Sequence, residues 1–190
     1  MSVKVLPYQL KKQINEIKND LFYPELRKLN GNILEVGFGK GVNFEYYSDR
    51  CKIYAIEKKE KHINNNNHFN SENIVLKNGV AENLPFEDSF FDTVVFSFVL
   101  CSVDSIDKTI QEAKRVLKQG GRVILLEHIK SDNKITLALQ KTITGIQSLF
   151  VSCRMDRDPR PYLKENFKVV REEFFNNSLE PYLFMKLINE

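Results

Sequence analysis

Three closely spaced glycines follow a short apolar segment and form the clearest candidate for a ligand-binding loop. Residues 33–36 have the apolar character of a buried strand, and Gly37, Gly39 and Gly41 come directly after them. Because glycine has no side chain, such a loop can turn tightly and lets a ligand approach its backbone. The third glycine of a dinucleotide-binding loop would stand at position 42, where this chain has Val42, so the spacing argues against a nicotinamide dinucleotide.

A carboxylate at the end of the next predicted strand could complete this site. Glu57 ends the segment 52–57 and follows the first glycine by twenty residues. A carboxylate at that spacing can accept hydrogen bonds from the hydroxyl groups of a ribose, whereas the alternative is a solvated strand end. The glycine turn and Glu57 together therefore indicate a pocket for an adenosyl group. A solvated helix start explains Lys58, Lys59 and Lys61 better than a phosphate site does.

The rest of the chain supplies strands and helices in an order that would position such a site. Apolar residues recur at helical spacing over residues 10–21 and predict a leading helix, and a second helix is expected to begin near Val42. A further helix follows the second strand and ends in the asparagine run 64–67. Other helices are predicted over 106–117, capped by Asp104 or Ser105 and ended by Gly120 and Gly121, and over 135–150. Further strands are predicted at residues 73–76, 92–98, 122–127, 167–174 and 182–188.

This alternation predicts an α/β fold with one doubly wound, Rossmann-like sheet. About seven mostly parallel strands should carry helices on both faces, with the last strand antiparallel. A chain of 190 residues fits a single domain. We expect a leading helix over 1–30, a ligand-binding core over 31–130, and a second-substrate side over 131–190.

Composition narrows the classes of function. A hydrophobic content of 42% without a membrane-length apolar run is typical of a soluble protein, and residues 1–10 resemble no cleaved secretory signal. Cys51, Cys101 and Cys153 are odd in number and widely separated, so they indicate neither a disulfide framework nor a zinc site. The net charge of +3 is too small for a surface that tracks nucleic acid. We expect a cytoplasmic monomer or homodimer without metal, nucleic-acid partner or stable membrane insertion.

Five ordered motifs within residues 31–130 resemble the class I methyltransferases that use S-adenosylmethionine. They are LEVGFGKGVNF (34–44), AENLPF (81–86), FDTVV (91–95), VLCSV (99–103) and RVLKQGGR (115–122), followed by LEH (126–128). Within that family the chain is similar to the small-molecule branch, which includes ubiquinone-type and methyltransferase-like thiol S-methyltransferases.

The resemblance implies a role for each motif in binding S-adenosylmethionine. The glycine loop would face the methionine part, Glu57 the ribose, and the pair Ala81 and Glu82 the adenine. Many relatives carry an aspartate before this pair, and because Val80 stands there, the adenine contact falls to Glu82 or to backbone. The cofactor-binding residues expected on this basis are Glu35, Gly37, Phe38, Gly39, Gly41, Asn43, Glu57, Lys58, Ala81, Glu82, Ser97 and Phe98.

Methyl transfer from a sulfonium is an in-line displacement that depends mainly on positioning. A proton must still leave a thiol or amine acceptor, and His128, just past the fifth predicted strand, is the candidate catalytic base; a plain loop histidine is the alternative. Cys101 falls near the expected methyl position, but a buried structural thiol explains it better. Arg154, Arg157 and Arg160 could hold an anion, although a self-paired charged loop is the simpler interpretation.

The acceptor remains open at this point among thiols, amines and quinol hydroxyls, including lipophilic ones. A different class of function is a non-catalytic sensor or partner subunit that binds S-adenosylmethionine or its demethylated product. A nucleic-acid methyltransferase is less well supported, because residues 97–100 lack the Asp/Asn-Pro-Pro-Tyr/Phe stretch of adenine-modifying families.

Overall fold

The predicted strands all belong to one mixed sheet. The computed structural model describes residues 8–69, 71–147, 153–154, 156–175 and 180–190. Within these residues the strands are β1 (Gly31–Val36), β2 (Cys51–Glu57), β3 (Ile74–Asn78), β4 (Phe91–Ser97), β5 (Leu117–His128), β6 (Lys168–Phe175) and β7 (Tyr182–Ile188). They are ordered β3-β2-β1-β4-β5-β7-β6. The first five strands are parallel, and β7 is antiparallel to both of its neighbours, which confirms the predicted topology.

Helices connect most of these strands. In the described part of the chain they are α1 (Tyr8–Ile17), α2 (Tyr23–Leu26), α3 (Glu60–Asn65), α4 (Ile106–Val116), α5 (Lys134–Gln147) and α6 (Arg160–Asn166). A π-helical turn, Lys18–Phe22, joins α1 to α2, and two short 3-10 turns cover Phe44–Tyr46 and Asn67–Phe69. None of these helices combines the length and the apolar character that a bilayer crossing requires.

Both faces of the sheet are buried along its central strands, as the apolar character of those strands predicts, whereas the edge strand β6 is exposed over its first half. In β1, Leu34 and Val36 pack on one face with apolar residues of α4 and α6. The intervening Ile33 packs on the other face with residues of the leading helical segment, such as Phe22 and Leu26. Successive side chains of a strand point to opposite faces, so one short segment anchors both cores.

The prediction that a helix begins near Val42 is wrong. The chain forms only the 3-10 turn Phe44–Tyr46, and Tyr47 then returns to extended backbone. Asn43 and Tyr47, on either side of this turn, both donate hydrogen bonds to buried Glu35 and fix the chain in this conformation. A local helical pattern cannot reveal this tertiary demand.

The predicted end of α4 is also wrong. Ser105 caps its start by accepting from Lys108 N at 3.3 Å, as expected, but the helix stops at Val116 rather than at the glycine pair. Strand β5 begins at once because Asn189 binds this segment: its Nδ2 donates to Leu117 O, and its backbone pairs with the glycines. Of the helix predicted over 135–150, Phe150 lies outside the described residues.

Candidate functional site

A cavity of about 610 Å³ opens at the carboxyl ends of β1, β2 and β4. Open α/β sheets bind ligands at this edge, and the volume falls in the range of about 300 to 1,000 Å³ that is usual for ligand pockets. The lining residues are Val36, Gly37, Gly39, Ile56, Glu57, Lys58, Lys59, His62, Gly79, Ala81, Glu82, Phe98, Val99, Ser102, Val103, Asp104, Arg154 and Arg157.

The glycine loop presents bare backbone to this cavity. Gly37 and Gly39 have φ values of 69° and 56°, in the left-handed region that favours glycine. A Cβ on Gly37 would collide with the side chain of Val99, so this glycine is required for packing. A Cβ on Gly39 would meet nothing within 4 Å and would project into open space. Because Gly39 also lines the cavity, its backbone forms a cradle without side chains.

Glu57 is fixed against this cradle. Its Oε2 accepts a hydrogen bond from Gly39 N at 3.1 Å, and its Oε1 accepts from Lys59 N at 3.0 Å. The residue is only 9% exposed, yet it lines the cavity. The end of β2 thus holds a carboxylate in one orientation beside the glycine loop.

Two residues that the sequence did not single out complete this wall. Asn66 donates from Nδ2 to Gly39 O at 3.0 Å and to His62 O at 2.7 Å, so it ties the glycine loop to α3. His62, to which the sequence assigns no role, lines the cavity with Nδ1 3.5 Å from Glu57 Oε2. The asparagine run does end α3 as predicted, but the contact of its third member with Gly39 depends on the tertiary fold.

The opposite wall is formed by Ala81 and Glu82. Oε1 of Glu82 accepts from Asp104 N at 2.6 Å and from Ser105 N at 3.3 Å, which ties this wall to the start of α4. Lys58 reaches across to Asp104, with 3.0 Å between Nζ and Oδ2. One oxygen of the Glu82 carboxylate is therefore already engaged with backbone.

The cavity lining does not include five of the predicted cofactor residues, namely Glu35, Phe38, Gly41, Asn43 and Ser97. Glu35 is buried beneath the loop and accepts hydrogen bonds from Asn43 Nδ2 and from the Tyr47 hydroxyl, both at 2.8 Å. Burial raises the pKa of Glu35 to about 7, although these two hydrogen bonds act in the opposite direction. This buried network supports the loop from behind.

His128 lies beside the cavity, behind Phe98. The centroid of its ring is 4.7 Å from that of Phe98, which lines the cavity and has a φ of 55°, and 5.1 Å from that of Tyr182. Among the described residues, no hydrogen-bond partner reaches its buried Nδ1. Burial and the nearby charge of Lys18 lower the pKa of His128 to about 4, so its ring is neutral at physiological pH. Nζ of Lys18 lies 5.3 Å from the centroid of the Phe98 ring.

A buried carboxylate shapes the loop after β4. Oε1 of Glu127 accepts from Val99 N at 2.7 Å and from Leu100 N at 3.0 Å. Burial raises the pKa of Glu127 well above its ordinary value. The sequence motif LEH includes Glu127 but indicates no role for it. Only the fold brings its carboxylate to the backbone of the loop that follows β4.

The three arginines named from the sequence separate in space. Arg160 is paired with Asp158 and Asp132, as the self-paired interpretation predicted. Arg154 also pairs as predicted, with 3.8 Å between its Nε and Asp156 Oδ1. Both Arg154 and Arg157 line the cavity, and Arg157 Nη1 donates to Val103 O. Cys101 is buried, as the interpretation as a structural thiol predicted, but its sulfur lies 3.3 Å from that of Cys153, a contact that the sequence did not indicate.

Known proteins resemble the chain in sequence and in fold. Residues 34–125 match the family model described as a methyltransferase domain. Thiol S-methyltransferase TMT1B of Mus musculus is 35% identical over 130 residues, a match that covers 62% of this chain and 52% of that protein. Ubiquinone/menaquinone biosynthesis C-methyltransferase UbiE of Rhizobium etli is 33% identical over 100 residues, which cover 52% of this chain and 39% of that protein. The chain thus spans about half the length of the curated relative TMT1B.

A solved structure supports the fold. The YcgJ protein from Bacillus subtilis superposes with a TM-score of 0.74 at 15% identity, covering 90% of this chain and 97% of that one. At this identity the likeness shows the fold alone. Residues 34–125 thus resemble a methyltransferase domain, and the strand order and the cavity at the carboxyl edge agree with the fold that the class I methyltransferases would require.

Proposed function

We propose that the chain is an enzyme that binds S-adenosylmethionine in the cavity beside Gly39 and transfers its methyl group to a small-molecule acceptor. The observation that carries this proposal is the Glu57 carboxylate, which is buried at the end of β2 and fixed against the open backbone of Gly39. That pairing offers an acceptor for ribose hydroxyls next to a cradle without side chains.

The residues of the cavity fit the parts of this cofactor. Gly37 and Gly39 would hold the methionine part, Glu57 the ribose, and Ala81 with its neighbouring backbone the adenine. Asp104 N and Ser105 N hold Oε1 of Glu82, so we assign adenine recognition to the Glu82 carboxylate or to backbone groups around Ala81. When bound, the cofactor supplies an electrophilic methyl group on a sulfonium. The chain's own contribution is to orient the acceptor and to exclude water.

The acceptor side would be formed by Phe98, His128, Tyr182 and Lys18. His128 is the proposed proton acceptor, since its ring is neutral, lies beside Phe98 and has an Nδ1 that no other residue in the described ranges contacts by a hydrogen bond. A base whose pKa is about 4 is weak, and it therefore suits acceptors that lose a proton readily. Thiols ionise near pH 8.5, below the ordinary range of aliphatic ammonium groups and phenolic hydroxyls. We therefore place thiols first, a choice that the likeness to TMT1B supports.

We further propose that residues 1–190 act as one domain, as a cytoplasmic monomer or homodimer without a nucleic-acid partner. The continuous sheet supports the first point. The modest net charge of +3 supports the absence of nucleic acid. Three free cysteines suit a reducing compartment.

The test is methyl transfer from labelled S-adenosylmethionine to a panel of thiols, amines and quinols. We expect labelled product with at least one class, thiols first, and a fall in kcat of at least tenfold in His128→Asn. Binding of the cofactor without transfer to any acceptor would instead indicate a non-catalytic binding protein.

A further inference from the structure

Two cysteines that lie far apart in the sequence meet at the rim of the cavity. Cys101 follows β4 and Cys153 lies beyond α5, yet Cys153 Sγ donates to Cys101 Sγ over 3.3 Å. The two backbones are also joined, since Arg154 N donates to Cys101 O at 2.9 Å. A disulfide needs about 2.05 Å between its sulfurs, so a small side-chain movement would close the bond.

The two thiols have different environments. Cys101 is buried, and its pKa is raised by the contact with Cys153 and by burial. Cys153 is partly exposed, and its pKa is lowered by the hydrogen bond that Cys101 can donate to its thiolate. An accessible sulfur that ionises first, beside a second sulfur within reach, matches the arrangement of an attacking and a resolving cysteine.

The segment that carries Cys153 forms part of the cavity wall. Arg154 and Arg157 line the cavity, as do Ser102 and Val103 on the Cys101 side. Arg157 Nη1 donates to Val103 O and crosses the same junction as the sulfur pair. A covalent link between Cys101 and Cys153 would therefore fix the loop with Ser102 and Val103 to the part of the cavity lining that Arg154 provides.

We propose that Cys101 and Cys153 form a redox-active dithiol pair that a hydroperoxide oxidises to a disulfide, thereby locking the rim of the cavity. The Cys153 thiolate attacks the peroxide oxygen, the O–O bond breaks, and a sulfenic acid forms. Hydroxide or alkoxide leaves and takes up the proton that ionisation of the Cys153 thiol released, so that water or an alcohol is formed. The Cys101 sulfur then attacks the sulfenic sulfur, and hydroxide leaves with the Cys101 proton as water. Two thiols are oxidised and one peroxide is reduced, so atoms and electrons balance.

Peptide mapping of the full chain tests the bond itself, independently of the proposed function. The reduced protein is treated with hydrogen peroxide and digested under non-reducing conditions; Lys52, Lys108 and Arg154 let trypsin place each cysteine on its own peptide. We expect a link between the Cys101 and Cys153 peptides within one chain, with Cys51 still a thiol. Cys51 begins β2 and therefore lies at the amino ends of the parallel strands, away from the cavity at their carboxyl ends. The Cys51→Ala variant should therefore form the same bond. The proposal is overturned if Cys153 advances to a sulfinic acid, if Cys51 is incorporated, or if no thiol is lost.

Two further readouts test the lock. Tryptic cleavage of the folded chain after Arg154 should slow several-fold on oxidation in the native protein, and Cys153→Ser should show no such change. Release of S-adenosylhomocysteine should also slow several-fold, a readout that rests on the proposed function. Unchanged cleavage in the oxidised protein contradicts the lock. A reduced chain that never binds S-adenosylhomocysteine contradicts the proposed function and leaves the disulfide to be judged by mapping and cleavage.

Discussion

Two neighbouring residues with opposite properties define the centre of the site. Gly39 lines the cavity with backbone alone, its φ of 56° is left-handed, and a Cβ added to it would meet nothing within 4 Å. Glu57 contributes a carboxylate whose orientation is fixed by the backbone amides of Gly39 and Lys59. That these two residues share one site could be predicted from their spacing in the sequence. The hydrogen bond between them could be seen only in the fold.

Gly39→Val should abolish or strongly weaken cofactor binding. The valine side chain would occupy the cavity, so we expect at least a tenfold rise in the Kd for S-adenosylmethionine by calorimetric titration. The left-handed backbone should cost about 1 to 2 kcal/mol of stability.

Gly120→Val is the matched control for that backbone strain. Gly120 has a φ of 73°, and a Cβ added to it would also meet nothing within 4 Å, but it is not among the lining residues. Equal loss of binding in both variants would show that strain, rather than occupation of the cavity, is responsible.

Glu57→Ala should weaken cofactor binding by about 1 to 3 kcal/mol, because a charged hydrogen-bond acceptor is lost. This corresponds to a rise of about 5- to 150-fold in Kd. Glu60→Ala, an exposed acid at the start of α3, should bind as the unmodified chain does. An unchanged Kd in the Glu57 variant would mean that the ribose lies elsewhere.

Glu35 should make the stability of the fold depend on pH. Its pKa is about 7 in the folded chain against an ordinary value of 4.5, so the folded state binds the proton more tightly. Stability from this group is therefore present below about pH 4.5 and is lost as the pH rises towards 7, by about 3 kcal/mol in total.

Urea unfolding at pH 5 and pH 8 measures this effect. In Glu35→Gln the loss of stability between the two pH values should be smaller than in the native chain. Glu45 is an exposed acid in the nearby 3-10 turn, and Glu45→Gln should keep the native pH dependence. The same pH dependence in all three proteins would contradict the assignment to Glu35.

The elements differ in how far local sequence determines them. The central parallel strands can be predicted because they are continuous apolar runs. For the antiparallel strand β7, the predicted bounds agree with the structure at both ends. The turn after the glycine loop and the stop of α4 were not, since buried partners at Glu35 and Asn189 override local propensity. The short helix α6 was missed because its charged sequence resembles a loop, although Pro161 suits a first helical turn.

Arg115 joins α4 to the segment before β4. Its guanidinium donates to Leu84 O at 3.0 Å and to Phe86 O at 2.9 Å, and it also pairs with Glu112. A lysine cannot reproduce this planar fork. Arg115→Lys should therefore lower the free energy of unfolding by about 1 to 2 kcal/mol in urea titrations.

Lys108→Arg on the exposed face of the same helix serves as the control and should leave stability unchanged. If Arg115→Lys is equally neutral, the guanidinium fork does not hold these two elements together.

At the scale of the whole molecule, the sheet order brings the ends of β1, β2 and β4 to one edge and opens the cavity there. Contacts between residues distant in the sequence give the cavity its details: Asn66 with Gly39, Glu127 with Val99, and Cys101 with Cys153. Such contacts have no local sequence pattern, which explains why the motifs indicated residues that line the cavity better than they indicated the residues that support it.

Calorimetric titration of the purified, folded chain with S-adenosylhomocysteine tests the central claim most directly. The account predicts saturable binding at one site per chain, with S-adenosylmethionine competing for the same site. A folded chain that binds neither compound would contradict the assignment of the cavity at Gly39 and Glu57.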